Sequence, residues 1–319
     1  MKDIDNTSTR VTSPSPSGET EGGFPPIMFA GTGSDVGKSV VATAFCRIFK
    51  QDGYHPAPFK AQNMALNSYA TADGLEIGRA QAVQAEAAGV ACETDMNPLL
   101  LKPNSDHSSQ VVLNGKPIGN QHAREYFRKE GREVLRQAVH EAFDRLSQRY
   151  NPIVMEGAGS IAEINLRDVD IVNMSMAKYA QASVILVTDI ERGGVFASVY
   201  GTLMLLTEEE RKLVKGIIIN KFRGDMSLFD EGRKIMEKIC GIPVLGVLPY
   251  FTDIHIEEED SVSLKRSRTK PLKKKGKWKS WLSFCDIFQI SPISMPSNAT
   301  HVFIFIIPTI QRKFVRQTS

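Results

Sequence analysis

Lys38 and Ser39 stand side by side at the end of the stretch Gly31-Thr32-Gly33-Ser34-Asp35-Val36-Gly37, which follows the apolar run Ile27 to Ala30. An ammonium and a hydroxyl behind a glycine-rich turn suit a phosphate. The usual phosphate loop reads Gly, four residues, Gly-Lys-[Ser/Thr]. Here the first glycine position holds Thr32, with Gly31 and Gly33 on either side. The physics survives that shift. Gly31, Gly33 and Gly37 let the backbone curl so that its N–H groups face a phosphate. A helix opening near Ser39 would point its positive end there. Thr32, Gly33, Ser34, Asp35, Val36, Gly37, Lys38 and Ser39 are therefore the candidate nucleotide-binding residues. Lys38 can reach the β- and γ-phosphates of ATP, and the Ser39 hydroxyl can hold Mg²⁺. The alternative is a plain strand–helix turn.

Four further side chains stand at the ends of apolar runs. Glu156, before Gly-Ala-Gly, can reach the same Mg²⁺ or sit in a surface turn. Asn220 can read an adenine edge or make a turn. Asp189, before Arg192-Gly193-Gly194, can orient Mg²⁺-bound water or substrate, or cap the next helix. Lys60, after Ala57-Pro58-Phe59, can meet a phosphate or a developing acyl phosphate; an isolated lysine is otherwise a solvated one.

These residues need a scaffold that brings strand ends together. Ile27 to Ala30, "PIVME", "SVILVTD", "GIIIN" and "IPVLGVLPY" are short, β-branched and unalternating, the mark of strands buried on both faces. "YHPAPFK" adds a short extended segment, and "QVVLNGKPIG" a strand and turn. Helical spacing runs over Ser39 to Asp52, stopped by Gly53, and over Glu76 to Gly89. A long amphipathic helix is expected from His122 to Tyr150, with Phe127, Val134, Leu135, Val139, Phe143 and Leu146 near one stripe and Gly131 a candidate interruption. The rhythm predicts an α/β fold with a doubly wound, mostly parallel sheet. Ligands in such sheets collect at the carboxyl ends of the strands.

The 319 residues carry 42% hydrophobic and 24% charged side chains, an ordinary globular balance. The net charge of +3 comes largely from a run at Lys265 to Lys279, and the remainder is slightly acidic. We therefore expect neither nucleic acid nor membrane as a partner. The four cysteines lie far apart without metal-ligand spacing, which suits reduced thiols in a cytoplasmic protein. Residues 1–25 read as a polar, disordered leader without a signal-peptide h-region. The domain is expected over 26–252, with a linker and tail over 253–319. A homo-oligomer is compatible with all of this.

The segments "PFKAQNMALNSYATADGLEIGRAQAVQAEAAGV", "MNPLLLKP" and "SQVVLNGK", together with "GTGSDVGKS", "EGAGS", "TDIERGGVFAS" and "INKFRGD", resemble the cobyric acid synthase family. These are the glutamine-dependent amidases of the cobalamin pathway. The likeness runs from about Ile27 to about Leu264. It implies a P-loop NTPase fold of the dethiobiotin-synthetase-like branch. It implies a corrinoid substrate, cobyrinic acid a,c-diamide, whose side-chain carboxylates are phosphorylated by ATP and then amidated by ammonia or glutamine nitrogen. On that likeness Lys38 and Lys60 are catalytic, and Ser39, Glu156 and Asp189 are the metal candidates. Gln62, Asn63, Asn67, Arg79, Gln81 and Arg192 become candidate donors to a polycarboxylate substrate.

The family also carries a C-terminal amidotransferase domain with a Cys nucleophile. The tail after Leu264 is too short for it, and Cys285 sits in no nucleophile motif. Shifted by one base, synonymous codons from Phe284 onward permit a string that resembles the opening of that domain. We therefore expect one base to have been lost near Leu264 to Lys275, leaving a tail without selected function. Two other readings compete. A nucleotide-switched ATPase of the partitioning or metallochaperone type usually has a second lysine early in its loop, and Gly31 to Asp35 contains none. A dethiobiotin-type enzyme acting alone would not need the substrate-side segment from Lys60 to Lys102.

Overall fold

The computed structural model describes residues 24–105, 108–122 and 129–251. All but the last two residues of the expected leader, Phe127 of the long helix, and the tail from 253 with Cys285 lie outside them.

Six strands form the central sheet: β1 (Ile27–Gly31), β2 (Ala57–Phe59), β9 (Ile153–Glu156), β10 (Ser183–Asp189), β11 (Val214–Phe222) and β12 (Val244–Pro249). Their order is β12-β11-β10-β1-β9-β2, and every pairing is parallel. β1 sits at the switch point, with β9 on one side and β10 on the other. The unalternating apolar runs follow from two covered faces. Met28, Ala30, Met155, Val184 and Leu186 face a cluster with Leu135, Val139, Phe143 and Leu146. Ile27, Phe29, Val154, Ile185 and Val187 face Val41, Phe45 and Phe49 on the other side. Each of these side chains larger than alanine, fully buried, contributes about 1.5–3 kcal/mol.

Helix α1 (Lys38–Gln51) follows the phosphate loop and ends at Asp52, with Gly53 at φ 88°. Helix α2 (Arg79–Ala88) is shorter than expected. Glu76–Gly78 instead forms β5, paired antiparallel with β4 (Ser68–Ala70). The ladder partner and the Gly78 N–H bond to Asn97 Oδ1 (2.9 Å) draw the backbone away from the helix that the Ala- and Gln-rich composition favours. A second sheet, in the order β3-β6-β7-β8, is built from β3 (Gln62–Met64), β6 (Leu99–Ser105), β7 (Ser108–Leu113) and β8 (Lys116–His122). Asn114 and Gly115 turn β7 into β8 with φ 48° and 76°, the two positive values a tight hairpin needs.

The long helix α3 spans Lys129–Ser147 and passes through Gly131 without a break. His122 belongs to β8, because the ladder with β7 extends to the Ser108–His122 pair. Leu135, Val139, Phe143 and Leu146 are buried as expected, whereas Val134 is 64% exposed and lies off the stripe. Helices α4 (Met174–Tyr179), α5 (Val195–Leu205), α6 (Glu208–Leu213) and α7 (Asp230–Cys240) complete the layers. Among the described residues no helix is long and apolar enough to cross a membrane.

Candidate active site

The loop between β1 and α1 is shaped by its neighbours. A Cβ at Gly31 would lie 2.8 Å from the Gly33 carbonyl oxygen and 2.9 Å from both Gly159 O and Lys38 Nζ, so only glycine fits. Gly37 precedes the helix at φ 97°, and Asp35 also takes a positive φ, 58°. From Gly33 to Gly37 no backbone N–H donates to another backbone carbonyl among the described residues. The segment thus offers a run of donors at a helix N-terminus, which is what an anion needs. Lys38 Nζ donates to Gly33 O (2.9 Å) and Gly159 O (3.1 Å), joining this loop to the one after β9. Thr32 Oγ1 bonds to Thr188 Oγ1 at 3.1 Å.

The end of β11 braces the loop from the other side. Asn220 Nδ2 donates to Val36 O at 2.9 Å, and a Cβ at Gly37 would overlap that amide. In this arrangement the Asn220 amide is committed to the loop rather than presented to a base. Lys221, which sequence reasoning passed over, donates to Asp35 O (2.5 Å) and pairs with Asp189 (3.0 Å). Asp189 Oδ1 also accepts from the Glu191 N–H at 2.7 Å. It therefore closes its own turn; the residue that caps α5 is Gly194.

Glu156 is the centre of the site. It ends β9, is 2% exposed, and receives three donors from three elements. Ser39 Oγ reaches its Oε1 from α1 at 2.7 Å. Lys60 Nζ reaches the same oxygen from the end of β2 at 3.0 Å. Gln84 Nε2 reaches Oε2 from α2 at 2.5 Å. Lys60 is itself 4% exposed, so it is no solvated surface lysine. Burial alone would push the Glu156 carboxyl up. The Lys60 charge and the hydrogen bonds from Ser39, Gln84 and Lys60 outweigh it and hold the carboxyl below its ordinary range. A charged carboxylate beside a hydroxyl is a hard-oxygen pair, the chemistry Mg²⁺ selects. Their 2.7 Å separation is close to the roughly 3 Å edge of an octahedron with Mg–O near 2.1 Å. Among the described residues no cluster of three or more His, Cys, Asp or Glu side chains assembles. One carboxylate plus phosphate oxygens and water is a common Mg²⁺ arrangement.

The residues expected to meet substrate divide. Asn63 and Gln81 face inward, bonded to each other at 3.0 Å, with Gln81 fully buried. Asn97, which the sequence did not single out, joins them by holding the Gly78 N–H and the Lys60 and Leu99 carbonyls. In this arrangement Asn63, on β3, and Gln81, on α2, form a buried amide cluster behind Lys60. Asn67 and Arg192 are exposed, and Arg79 lies 5.4 Å from the Tyr69 ring centroid. Gln62 lines a cleft of about 1360 Å³, shared by Ser34 and Gly159 of the two phosphate-side loops and by Met64, Val111 and Leu166. Asn173 shapes its rim by pairing both polar atoms with the Ala158 backbone (3.0 and 2.8 Å).

Residues 27–264 match the family model described as the CobQ/CobB/MinD/ParA nucleotide binding domain. Among curated relatives, the cobyric acid synthase of Phocaeicola vulgatus is 77% identical over 243 residues, covering 76% of this chain and 49% of that protein. That of Bacteroides fragilis is 76% identical over 75% of this chain and 48% of that protein. That of Geobacillus kaustophilus is 58% identical over 76% and 48%. The chain spans about half the length of the curated relatives it matches. Among solved structures, the signal recognition particle receptor FtsY from Elizabethkingia anophelis is similar at 16% identity, covering 73% of this chain and 60% of that one, with a TM-score of 0.40. With its phosphate loop, parallel sheet and strand-end carboxylate in place, the chain belongs to the CobQ/CobB/MinD/ParA nucleotide-binding-domain family.

Proposed function

We propose that this chain performs the synthetase half of cobyric acid synthesis: ATP-dependent amidation of peripheral carboxylates of cobyrinic acid a,c-diamide. The observation that carries the reading is the buried meeting of Ser39, Lys60 and Glu156 beside Lys38 and its loop, in a chain 77% identical over 243 residues to a cobyric acid synthase. ATP phosphates would lie against the N–H groups of Gly33 to Gly37, with Lys38 neutralising the β- and γ-phosphates. Ser39 and Glu156 would hold Mg²⁺, which supplies charge neutralisation on the transferring phosphoryl group. A substrate carboxylate oxygen attacks the γ-phosphorus, ADP leaves, and an acyl phosphate forms. Ammonia then attacks the acyl carbon, and the departing phosphate takes the proton that nitrogen loses, leaving as hydrogen phosphate. Lys60, bonded to Glu156, would offset the charge of the transferring phosphoryl group. We place the corrin in the adjacent cleft, whose volume exceeds the roughly 300–1,000 Å³ of a drug-sized site and suits a macrocycle.

Nitrogen would come from glutamine, as ammonia released by an amidotransferase half of the kind the relatives' greater length allows, and the activity belongs in the cytosol. Purified chain is incubated with ATP, Mg²⁺ and cobyrinic acid a,c-diamide, with either glutamine or ammonium chloride at alkaline pH, and the corrin mass is followed. Ammonium should drive amidation slowly, since a tethered source gives an effective concentration that bulk ammonia must match. A folded, ATP-binding sample that forms no amide with ammonium contradicts the proposal.

A further inference from the structure

The amide of Gln84 is buried, and one half of it is unspent. Gln84 lies on α2, is fully buried, and donates Nε2 to Glu156 Oε2 at 2.5 Å. Its own Oε1 is buried and has no hydrogen-bond partner among the described residues. Rotating the amide by 180° does not help, because it would set that oxygen against the carboxylate. The Glu156 oxygen on the other side, Oε1, is the one shared by Ser39 and Lys60. So Gln84 fixes which way the carboxylate faces while presenting a bare acceptor beside it. A hydrated divalent cation carries what that acceptor lacks, since Mg²⁺ sheds water reluctantly and its bound waters donate hydrogen bonds.

We propose that Gln84 is a positioning residue for the divalent-cation site: Nε2 locks Glu156 so that Oε1 stays turned to Ser39, and Oε1 accepts from water carried by the cation. This rests on the Ser39–Glu156 reading given above. Partners that orient a metal ligand in this way typically change metal affinity about 10–100-fold when removed.

The test uses the full chain, Mn²⁺ as the probe and ADP as the nucleotide. Mn²⁺ binding is read by electron paramagnetic resonance, and the Mn²⁺-dependent rise in the thermal midpoint by calorimetry. Gln84→Leu removes donor and acceptor and should weaken Mn²⁺ binding at least tenfold, with ADP affinity in EDTA within about twofold of the parent. Gln84→Glu sets two carboxylates side by side and restores acceptor oxygens. It should lower the midpoint without cation but give a larger Mn²⁺-dependent rise than the parent. Opposite responses from one position are the signature of a cation-directed role. A contact that merely ties α2 to β9 would lower both midpoints and leave the Mn²⁺-dependent rise unchanged, and that outcome overturns the proposal. If Gln84→Leu does not fold, the Gln84→Glu arm decides alone. A parent chain that binds ADP but no Mn²⁺ overturns the Ser39–Glu156 reading itself and this inference with it.

Discussion

Two carboxylates leave the sheet on either side of the phosphate loop, Glu156 from β9 and Asp189 from β10, and they are treated differently. The Glu156 side chain is 1% exposed and is held by Ser39, Lys60 and Gln84, which come from three separate elements. The Asp189 side chain is 12% exposed and is held by Lys221, one strand away, and by its own turn. Both stand where a ligand-binding residue is expected in a parallel sheet. Only the first has the convergent donors and low-dielectric surroundings that make a preorganised charge effective. Lys221, which also holds Asp35, makes Asp189 part of the brace under the loop. A strand-end position nominates a residue; convergence of independent elements on it separates the buried, preorganised carboxylate from the partly exposed one.

The largest expected effect tests that distinction directly. Glu156→Ala leaves the Lys60 ammonium buried without its counter-charge and should destabilise the fold by about 3–5 kcal/mol, measured by urea unfolding. The same variant sharpens the pH dependence. Because the folded carboxyl lies below its unfolded value, its stabilising contribution is present at neutral pH and is lost as pH falls through that lower value. Glu156→Ala should therefore flatten the acid limb of the stability profile. Lys38→Ala comes next. On the proposed reading it would remove one positioned charge from the transferring phosphoryl group, so ADP formation in the presence of corrinoid should slow by about two to three orders of magnitude with the fold retained. A parent-like rate would remove Lys38 from the chemistry. Asp189→Asn should have the smallest effect, about 0–1 kcal/mol in stability, since a partly exposed pair contributes little. A loss equal to that of Glu156→Ala would erase the contrast between the two strand ends.

The sheet was legible because its physics is local. Five apolar runs that are short, β-branched and without alternation read as strands covered on both faces, and they map onto β1 and β9 through β12. The phosphate loop was legible for the same reason: Gly37, Lys38 and Ser39 sit between a buried strand and a helix start. What lay hidden depends on long-range partners. Gln84 reads as an ordinary helical glutamine until α2 is laid against Glu156, 72 residues away. Asn63 and Gln81 carry no sign of their pairing until β3 and the first turn of α2 bring them together beside Gly78. Glu76–Gly78 reads as the first turn of a helix because its strand partner, Ser68–Ala70, carries no strand pattern of its own. Lys221 was passed over because its role follows from a positive φ of 62° that turns it back toward the loop.

If the buried cluster at Glu156 serves the transfer of phosphate onto a substrate carboxylate, one carboxylate oxygen must leave with that phosphate. Cobyrinic acid a,c-diamide labelled with ¹⁸O in its free carboxylates is incubated with the full chain, ATP, Mg²⁺ and ammonium chloride, and the inorganic phosphate is analysed by ³¹P NMR. The account predicts one ¹⁸O delivered to phosphate for each amide formed, because the carboxylate oxygen that attacks the γ-phosphorus leaves with it. Amide formation with unlabelled phosphate would contradict it.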